Sequence, residues 1–417
     1  MSPLSPRSVH PPQASAADSR QWEHNLHVYF SPIQFESRIF KITRSLVRLG
    51  LVSRVTIVGI RHGDLPPNQA LDQERCVYRP RLLCPRVSGS TFFQLCRVSE
   101  LSLRVFLFAV RQRVDLVNCH MLFALPVCVL MKYLLGIQVI YDAHEIETEQ
   151  EGFRGFKKRL LQFVERHLLR HVDMVVQAGR SYADWYKEHY DLPEIHVLKN
   201  VPLAANFKGV EPTDVFRKAF GISPEHMIFL YQGMLLEERG VPLLLQVFAT
   251  VAERSQHVVF MGYGPLERRV QEAAAANPNI HFHPAVPPER LRNYTAGADV
   301  GFSLPLNTSL NNYLCNPNKT YEYLLCGVPM IVSPFPELLR FIAENEAGWA
   351  VEPSVAALTG LLKRLNRTEI CRVRERMLHT RGRHGWEKEE ETLERIYRHL
   401  LSRCRGAPGH VASSIRT

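Results

Sequence analysis

Apolar and polar positions along the chain fall into two successive series of short buried runs and amphipathic stretches, the pattern of alternating strands and helices. The first series opens with the strand-like Leu26-His27-Val28-Tyr29-Phe30. An amphipathic helix from Glu36 to Leu49, stopped by Gly50, and a strand from Arg54 to Ile60 follow. Across 61–90, rich in proline and arginine, no element is legible. The pattern then predicts helices near 91–111, 122–135, 156–170 and 181–189, with strands at Leu116–Cys119, Gln138–Tyr141, Met174–Val176 and His196–Leu198. Residues 203–225 read as a polar linker with one short helix. The second series places strands at Met227–Tyr231, Val258–Met261, Ile280–Phe282, Val300–Phe302 and 330–333, with helices over 240–252, 265–276 and 288–296. Such alternation builds parallel sheets covered on both faces. The fold class is therefore α/β, with two Rossmann-like doubly wound domains in tandem and a ligand cleft between their strand ends.

The expected division is a disordered tail over 1–24, a first domain over 25–202, a second over 203–380, a closing helix over 381–403 and a flexible tail over 404–417. Within the closing segment, an amphipathic helix over 386–401 carries Trp386, Leu393, Ile396, Tyr397 and Leu400 on one face. At 417 residues the chain is long enough for two such cores.

Composition narrows the partners. A formal net charge of +10 suits an anionic ligand or surface. Zinc-ligand spacings and basic runs interleaved with aromatics are both missing, which argues against nucleic acid. Nine scattered cysteines without a Cys-x-x-Cys pair read as free buried thiols in a reducing compartment. Residues 1 to about 24 lack the apolar core of a signal peptide, and the run Met121 to Met131 is too short to span a bilayer. A cytoplasmic protein is expected.

The most informative stretch is Asn316-Pro317-Asn318-Lys319-Thr320-Tyr321-Glu322-Tyr323, running on to Gly327-Val328-Pro329 and an apolar strand. Asn318 is a good helix N-cap and Gly327 a good C′ residue, so amide N–H groups and the positive dipole end point out of the loop. Lys319 adds a cation there, and Glu322, one turn on, could accept bonds from sugar hydroxyls. Read alone, the eight residues fit a capped surface helix equally well. In Tyr231-Gln232-Gly233-Met234 through Arg239-Gly240, a strand ends in a glycine turn and an arginine precedes the next helix, placed for bidentate phosphate contact. Gly262-Tyr263-Gly264-Pro265 is a second glycine turn after a buried strand, a weak signal by itself. In the first domain, His120 and Asp142-Ala143-His144-Glu145 follow strands, where open α/β sheets hold ligands, although single histidines are more often structural.

Taken together and in this order, these elements resemble the donor site of family-4-type retaining glycosyltransferases (glycosyl transferases group 1), enzymes of the GT-B fold that take a sugar from a nucleotide-sugar. The resemblance covers about residues 25 to 400. It implies that Lys319 lies near the diphosphate and Glu322 binds the ribose, with Asn318 at the same helix start. Arg239 would neutralise the leaving diphosphate beside Gly233. Gly262 and Gly264 would line the nucleotide pocket, and the stretch ending at Val286 would receive the base through backbone groups. His144 would contact the transferred sugar, and His120 the diphosphate or the acceptor. Resemblance to GT-B enzymes also implies that the last helix crosses back onto the first domain.

Two departures stand out. Met234 occupies a place where many members carry Arg, and Leu314 one where many carry a sugar-gripping Glu, a role that Asn311 or Asn312 could take over in part. No Asp-x-Asp triplet is present, so no metal and no cofactor are expected. The expected reaction moves a hexose-type unit, with retention, from a nucleotide-diphosphate sugar to a glycan, lipid-linked or small-molecule acceptor. A nucleotide-sugar 2-epimerase and a non-catalytic sugar- or partner-binding protein of the same fold are the competing readings. Phe153 to His171, with six Lys and Arg among leucines, suits either a helix packed on the sheet with a charged outer face or one lying on the anionic inner face of a membrane.

Overall fold

The computed structural model describes residues 21–85, 91–150, 153–250 and 255–406. Two parallel sheets organise the chain. The first holds β1 (Trp22–Val28), β2 (Val52–Val58), β3 (Asn68–Ala70), β4 (Arg75–Tyr78), β5 (Leu116–Cys119), β6 (Gln138–Ala143), β7 (Met174–Gln177) and β8 (His196–Val197). Its strand order is β3-β4-β2-β1-β5-β6-β7-β8, and only the short edge strand β3 runs antiparallel to its neighbour. The second holds β9 (Met227–Met234), β10 (Gln256–Tyr263), β11 (Ile280–Pro284), β12 (Val300–Ser303), β13 (Met330–Val332) and β14 (Gly348–Ala350), in the order β11-β10-β9-β12-β13-β14. Central strands such as β5, β7 and β12 are buried at every position, as a parallel sheet covered on both faces requires.

Helices α1 (Ser37–Arg48), α2 (Thr91–Gln112), α3 (Leu125–Leu135), α4 (Gly155–Leu169) and α5 (Arg180–Tyr190) cover the first sheet. Around the second lie α6 (Val215–Phe220), α7 (Val241–Thr250), α8 (Glu267–Ala276), α9 (Pro288–Thr295), α10 (Leu310–Leu314), α11 (Asn318–Cys326), α12 (Pro336–Asn345), α13 (Val355–Arg364) and α14 (Arg367–Thr380). The long α15 (Trp386–Gly406) returns to the first lobe. It buries Trp386, Ile396 and Tyr397; the Trp386 indole N–H donates to Ser45 Oγ of α1 at 2.8 Å, and Trp22 meets Tyr397 edge-on at 5.8 Å. The doubly wound architecture and the returning helix are as the sequence predicts.

Three boundaries differ. The first strand starts at Trp22, inside the stretch expected to be tail, because Trp22 is covered by a helix from the far end of the chain. Residues 61–90 contain β3 and β4; Asn68-Gln69-Ala70, exposed at every position, has no alternation to betray a strand. At the other end α15 continues to Gly406, past the boundary at 403. The tail expectations otherwise fall outside the described residues.

No described helix is long and apolar enough to cross a membrane. Cysteines 76, 84, 96, 119, 128, 315, 326 and 371 are all free thiols, but only Cys119 and Cys128 are fully buried.

Candidate active site

The C-terminal ends of both sheets face one cleft. On the second-lobe side, α11 ends as the sequence predicts: Gly327 is left-handed at φ 68°, and its N–H and that of Val328 bond the Leu324 and Tyr323 carbonyls at 3.1 and 2.9 Å. Its start differs. Pro317 is the capping residue, Asn318 is already helical, and no side chain caps the first turn. Asn318 therefore lines the cleft instead of closing the helix, and no side chain covers the first amides, although the Thr320 N–H already bonds the Pro317 carbonyl at 3.0 Å.

Lys319 points across Gly233. A Cβ built at that glycine would stand 3.7 Å from Lys319 Nζ, and the ammonium lies over the Tyr231 ring, 4.0 Å from its centroid. Burial, then the positive charge of Arg239, push the Lys319 amine down to about 7, with Glu322 opposing. Arg239, in a short 3-10 turn after β9, reaches toward Cys315 Sγ at 4.0 Å. It also lies close enough to Glu145 of the first lobe to favour that carboxylate against its burial. The two cations thus share the interlobe gap.

Glu322 accepts a short bond from the Gln232 amide, whose oxygen accepts from Thr295 Oγ1 at 2.8 Å. Burial raises the Glu322 carboxyl, while Gln232, Lys319 and Lys41 of the first lobe oppose. Gly262 and Gly264 have a packing reason. A side chain at Gly262 would overlap the Gly233 carbonyl at 1.8 Å, and at Gly264, where φ is 146°, it would meet the Leu235 carbonyl at 2.8 Å. The two glycine turns therefore pack backbone on backbone and leave the strand ends bare. Val286 follows β11, partly buried against the core. Met234 is 46% exposed and Leu314 lines the cleft, so neither departure is concealed in the interior.

The first-lobe wall is a chain of rings. His27 Nδ1 lies 2.8 Å from His120 Nε2, and His120 Nδ1 lies 3.1 Å from His144 Nε2 and 3.3 Å from Asp142 Oδ2. Arg38 grips Asp142 with two nitrogens, at 2.5 and 3.2 Å. Burial alone would raise the Asp142 carboxyl, but the Arg38 guanidinium, helped by His120 and His144, holds it well below the usual carboxylate range. Burial, with His120 and Arg38, pushes His144 down to about 3, and burial with His120 likewise lowers His27. A carboxylate can only accept, so Asp142 requires the proton on His120 Nδ1. The single His120 Nδ1–H is then shared between Asp142 Oδ2 and His144 Nε2, and His120 Nε2 accepts from His27 Nδ1–H. The remaining His144 Nδ1–H is left to donate outward. The ligand atoms of His120, Asp142 and His144 come within 4.8 Å of one another, but Arg38 already occupies both carboxylate oxygens.

The lobes are latched beside this wall. The Asn311 side chain accepts from Ile146 N–H at 2.9 Å and donates to the Ile146 carbonyl at 3.1 Å, while Glu337 accepts from Ser181 N–H and Oγ, both at 2.8 Å. Asn312 commits its amide to Thr308 Oγ1 at 2.8 Å within its own turn. The space left between His144, Tyr182, Asn316, Asn318 and Tyr321 is about 160 Å³. Lys319, Arg239 and Glu322 do not line it, so this space belongs to the first-wall side of the gap. A larger cavity of about 660 Å³, between α1, the linker and α15, contains none of these groups.

Sequence reading missed His27, Arg38, Lys41 and Gln232. Three of them left a trace: His27 interrupts a buried strand, and Arg38 falls on the apolar face of α1 beside Ile39 and Ile42. Gln232 precedes a strand-end glycine.

Two α/β lobes with facing strand ends, a cationic far wall and a returning C-terminal helix define a GT-B glycosyltransferase. Residues 36–200 match the family described as glycosyl transferase 4-like domain, and residues 226–367 match glycosyl transferases group 1. The chain belongs to the group 1, family-4-type glycosyltransferases. It is 23% identical over 312 residues to D-inositol 3-phosphate glycosyltransferase of Corynebacterium urealyticum, covering 69% of this chain and 72% of that one. Sucrose-phosphate synthase of Thermosynechococcus elongatus superposes with a TM-score of 0.73 at 16% identity, over 91% of this chain and 100% of that one. Anabaena HepE, solved with UDP and glucose, gives a TM-score of 0.64 at 13% identity, over 92% and 99%.

Proposed function

We propose that this glycosyltransferase moves a hexose-type unit from a nucleotide-diphosphate sugar, with retention and without a metal, to a glycan, lipid-linked or small-molecule acceptor at an anionic membrane surface. The observation that carries the reading is the convergence of Lys319 and Arg239 on the interlobe gap, beside the uncapped start of α11 and opposite the histidine wall. The diphosphate rests on the ammonium, the guanidinium and the free amides, which stabilise its charge as the glycosidic bond breaks. Glu322, steadied by Gln232, accepts from the ribose hydroxyls. His144 Nδ1–H donates to a hydroxyl of the transferred sugar. Among the described residues the carboxylates at the cleft are already engaged: Asp142 by Arg38, Glu337 by Ser181 and Arg340, Glu322 by Gln232, and Glu145 by Gln150 at 2.9 Å. The acceptor oxygen therefore attacks on the face the diphosphate leaves, and the departing phosphate oxygen takes its proton.

A thermal-shift panel of UDP, GDP, ADP and their sugars tests the donor. Stabilisation by one nucleotide series is expected, lost in Lys319→Ala; the reading fails if no nucleoside diphosphate stabilises the protein. Incubating the bound donor alone separates the competitors, because a new epimer among the products would identify an epimerase instead.

A further inference from the structure

The layer α2, α3 and α4 carries apolar residues on both sides. Inward, Val105, Met131 and Leu169 share one core cluster, with α3 between its two neighbours. Outward, each helix shows a second apolar stripe at helical spacing. Leu103, Leu107 and Val110 stand out from α2, Leu130 and Leu134 from α3, and Phe156, Leu160 and Phe163 from α4. Phe156 is 81% exposed and Phe163 68%. Most of the exposed large apolar side chains among the described residues fall on these three helices, an area the folded chain leaves uncovered.

Charge says what covers it. Acids are nearly absent: α2 has Glu100 alone, α4 has Glu165 alone, and α3 has none. Glu100 is occupied by the Leu83 and Cys84 amides and by Arg104, while Glu165 is buried beneath three tyrosine hydroxyls at 2.6 to 2.8 Å. Exposed Arg154, Lys157 and Arg159 edge the face. A second copy of the chain would set these cations against their own kind, since the nearby described acids Glu149 and Asp173 are already paired with Lys158 and Lys132. An apolar surface edged by Arg154, Lys157 and Arg159, none of which has an acid partner among the described residues, is complementary to a bilayer containing anionic lipid. We infer that the outer face of α2, α3 and α4 docks the enzyme on an anionic membrane, with the apolar stripes entering the interface and the cations meeting headgroups.

The inference deepens the acceptor half of the proposed function, but its assay contains no nucleotide, so the two can fail separately. The full chain is sedimented with vesicles of phosphatidylcholine, with or without about a third phosphatidylglycerol. It should pellet with the anionic vesicles, less so as salt rises. Lys157→Ala/Arg159→Ala should weaken partitioning about 25-fold, roughly fivefold for each cation. Phe156→Ser/Phe163→Ser, and independently Leu134→Ser, should weaken it with unfolding temperatures unchanged. A wild-type chain that stays in the supernatant overturns the inference. So do apolar-face variants that pellet like wild type, or a wild-type dimer that Phe156→Ser/Phe163→Ser converts to monomer.

Discussion

The two walls of the cleft spend charge in opposite ways. On the first lobe the strongest ions, Arg38 and Asp142, are both buried and neutralise each other, and what reaches the cleft through the rings is a neutral imidazole held in one tautomer. On the second lobe Lys319 and Arg239 stand together without an acid matched to each; Glu322 is shared with Gln232, and Glu145 reaches across from the other wall. Uncompensated positive charge costs solvation and self-repulsion in the free protein, a cost that a diphosphate removes on binding. The difference assigns the walls. The cationic wall holds the leaving group, and the neutral wall can orient a sugar without competing for its phosphates.

The most direct way to break this comparison is to take a cation from the second wall. Lys319→Ala should lower kcat/KM for transfer by about 10²- to 10³-fold, the usual cost of removing one preorganised group from a developing anion. Steady-state kinetics at saturating acceptor measure it, and a loss below tenfold would deny Lys319 that role. The matching change on the first wall should act on stability instead. Asp142→Asn leaves the Arg38 guanidinium buried without its partner, so urea denaturation should show a loss of about 3 kcal/mol or more. An Asp142→Asn protein as stable as wild type would mean that the ion pair is not what holds the histidines in place.

How far the sequence revealed these walls follows from what each is made of. The donor wall lies in contiguous motifs, because a helix start and two glycine turns are local structures: Lys319 and Glu322 are three residues apart, and Gly262 meets Gly233 only because adjacent parallel strands end level. Even there the cap differs by one residue: Asn318 is the better capping type, yet Pro317 holds the position with an extended backbone. The histidine wall comes from four separate segments. His27, Arg38, His120 and Asp142 join only when β1, β5 and β6 pair in register and α1 packs above them, so residues up to 104 positions apart share a hydrogen bond. The latch residue Asn311 was equally hidden. Its polar character suggested a sugar contact, but its partner is backbone 165 residues away. Parallel topology was legible throughout because buried strands repeat, whereas β3, exposed and polar, carried no pattern.

Acidity sharpens the comparison further, since the walls should respond to different pH. His144 is pushed down to about 3 and stays neutral across the working range, so it contributes no slope above pH 5. Lys319 is pushed down to about 7 in the free protein. Below that value it is already an ammonium, and donor binding requires no proton exchange. Above it the amine is neutral, yet the diphosphate favours the charged form, so binding must take up a proton. Affinity for the nucleotide-sugar, whose diphosphate diester does not titrate in this range, should therefore be flat from pH 5 to about 7 and then weaken as pH rises, by at most tenfold per unit for a single proton. Calorimetry at pH 8 in two buffers of different ionisation enthalpy should register uptake approaching one proton. Lys319→Arg, whose guanidinium stays charged, should abolish both the slope and the uptake. A slope that survives in Lys319→Arg would move the titrating group elsewhere, with Lys41, also pushed down to about 7 by burial and Arg38, the next to replace.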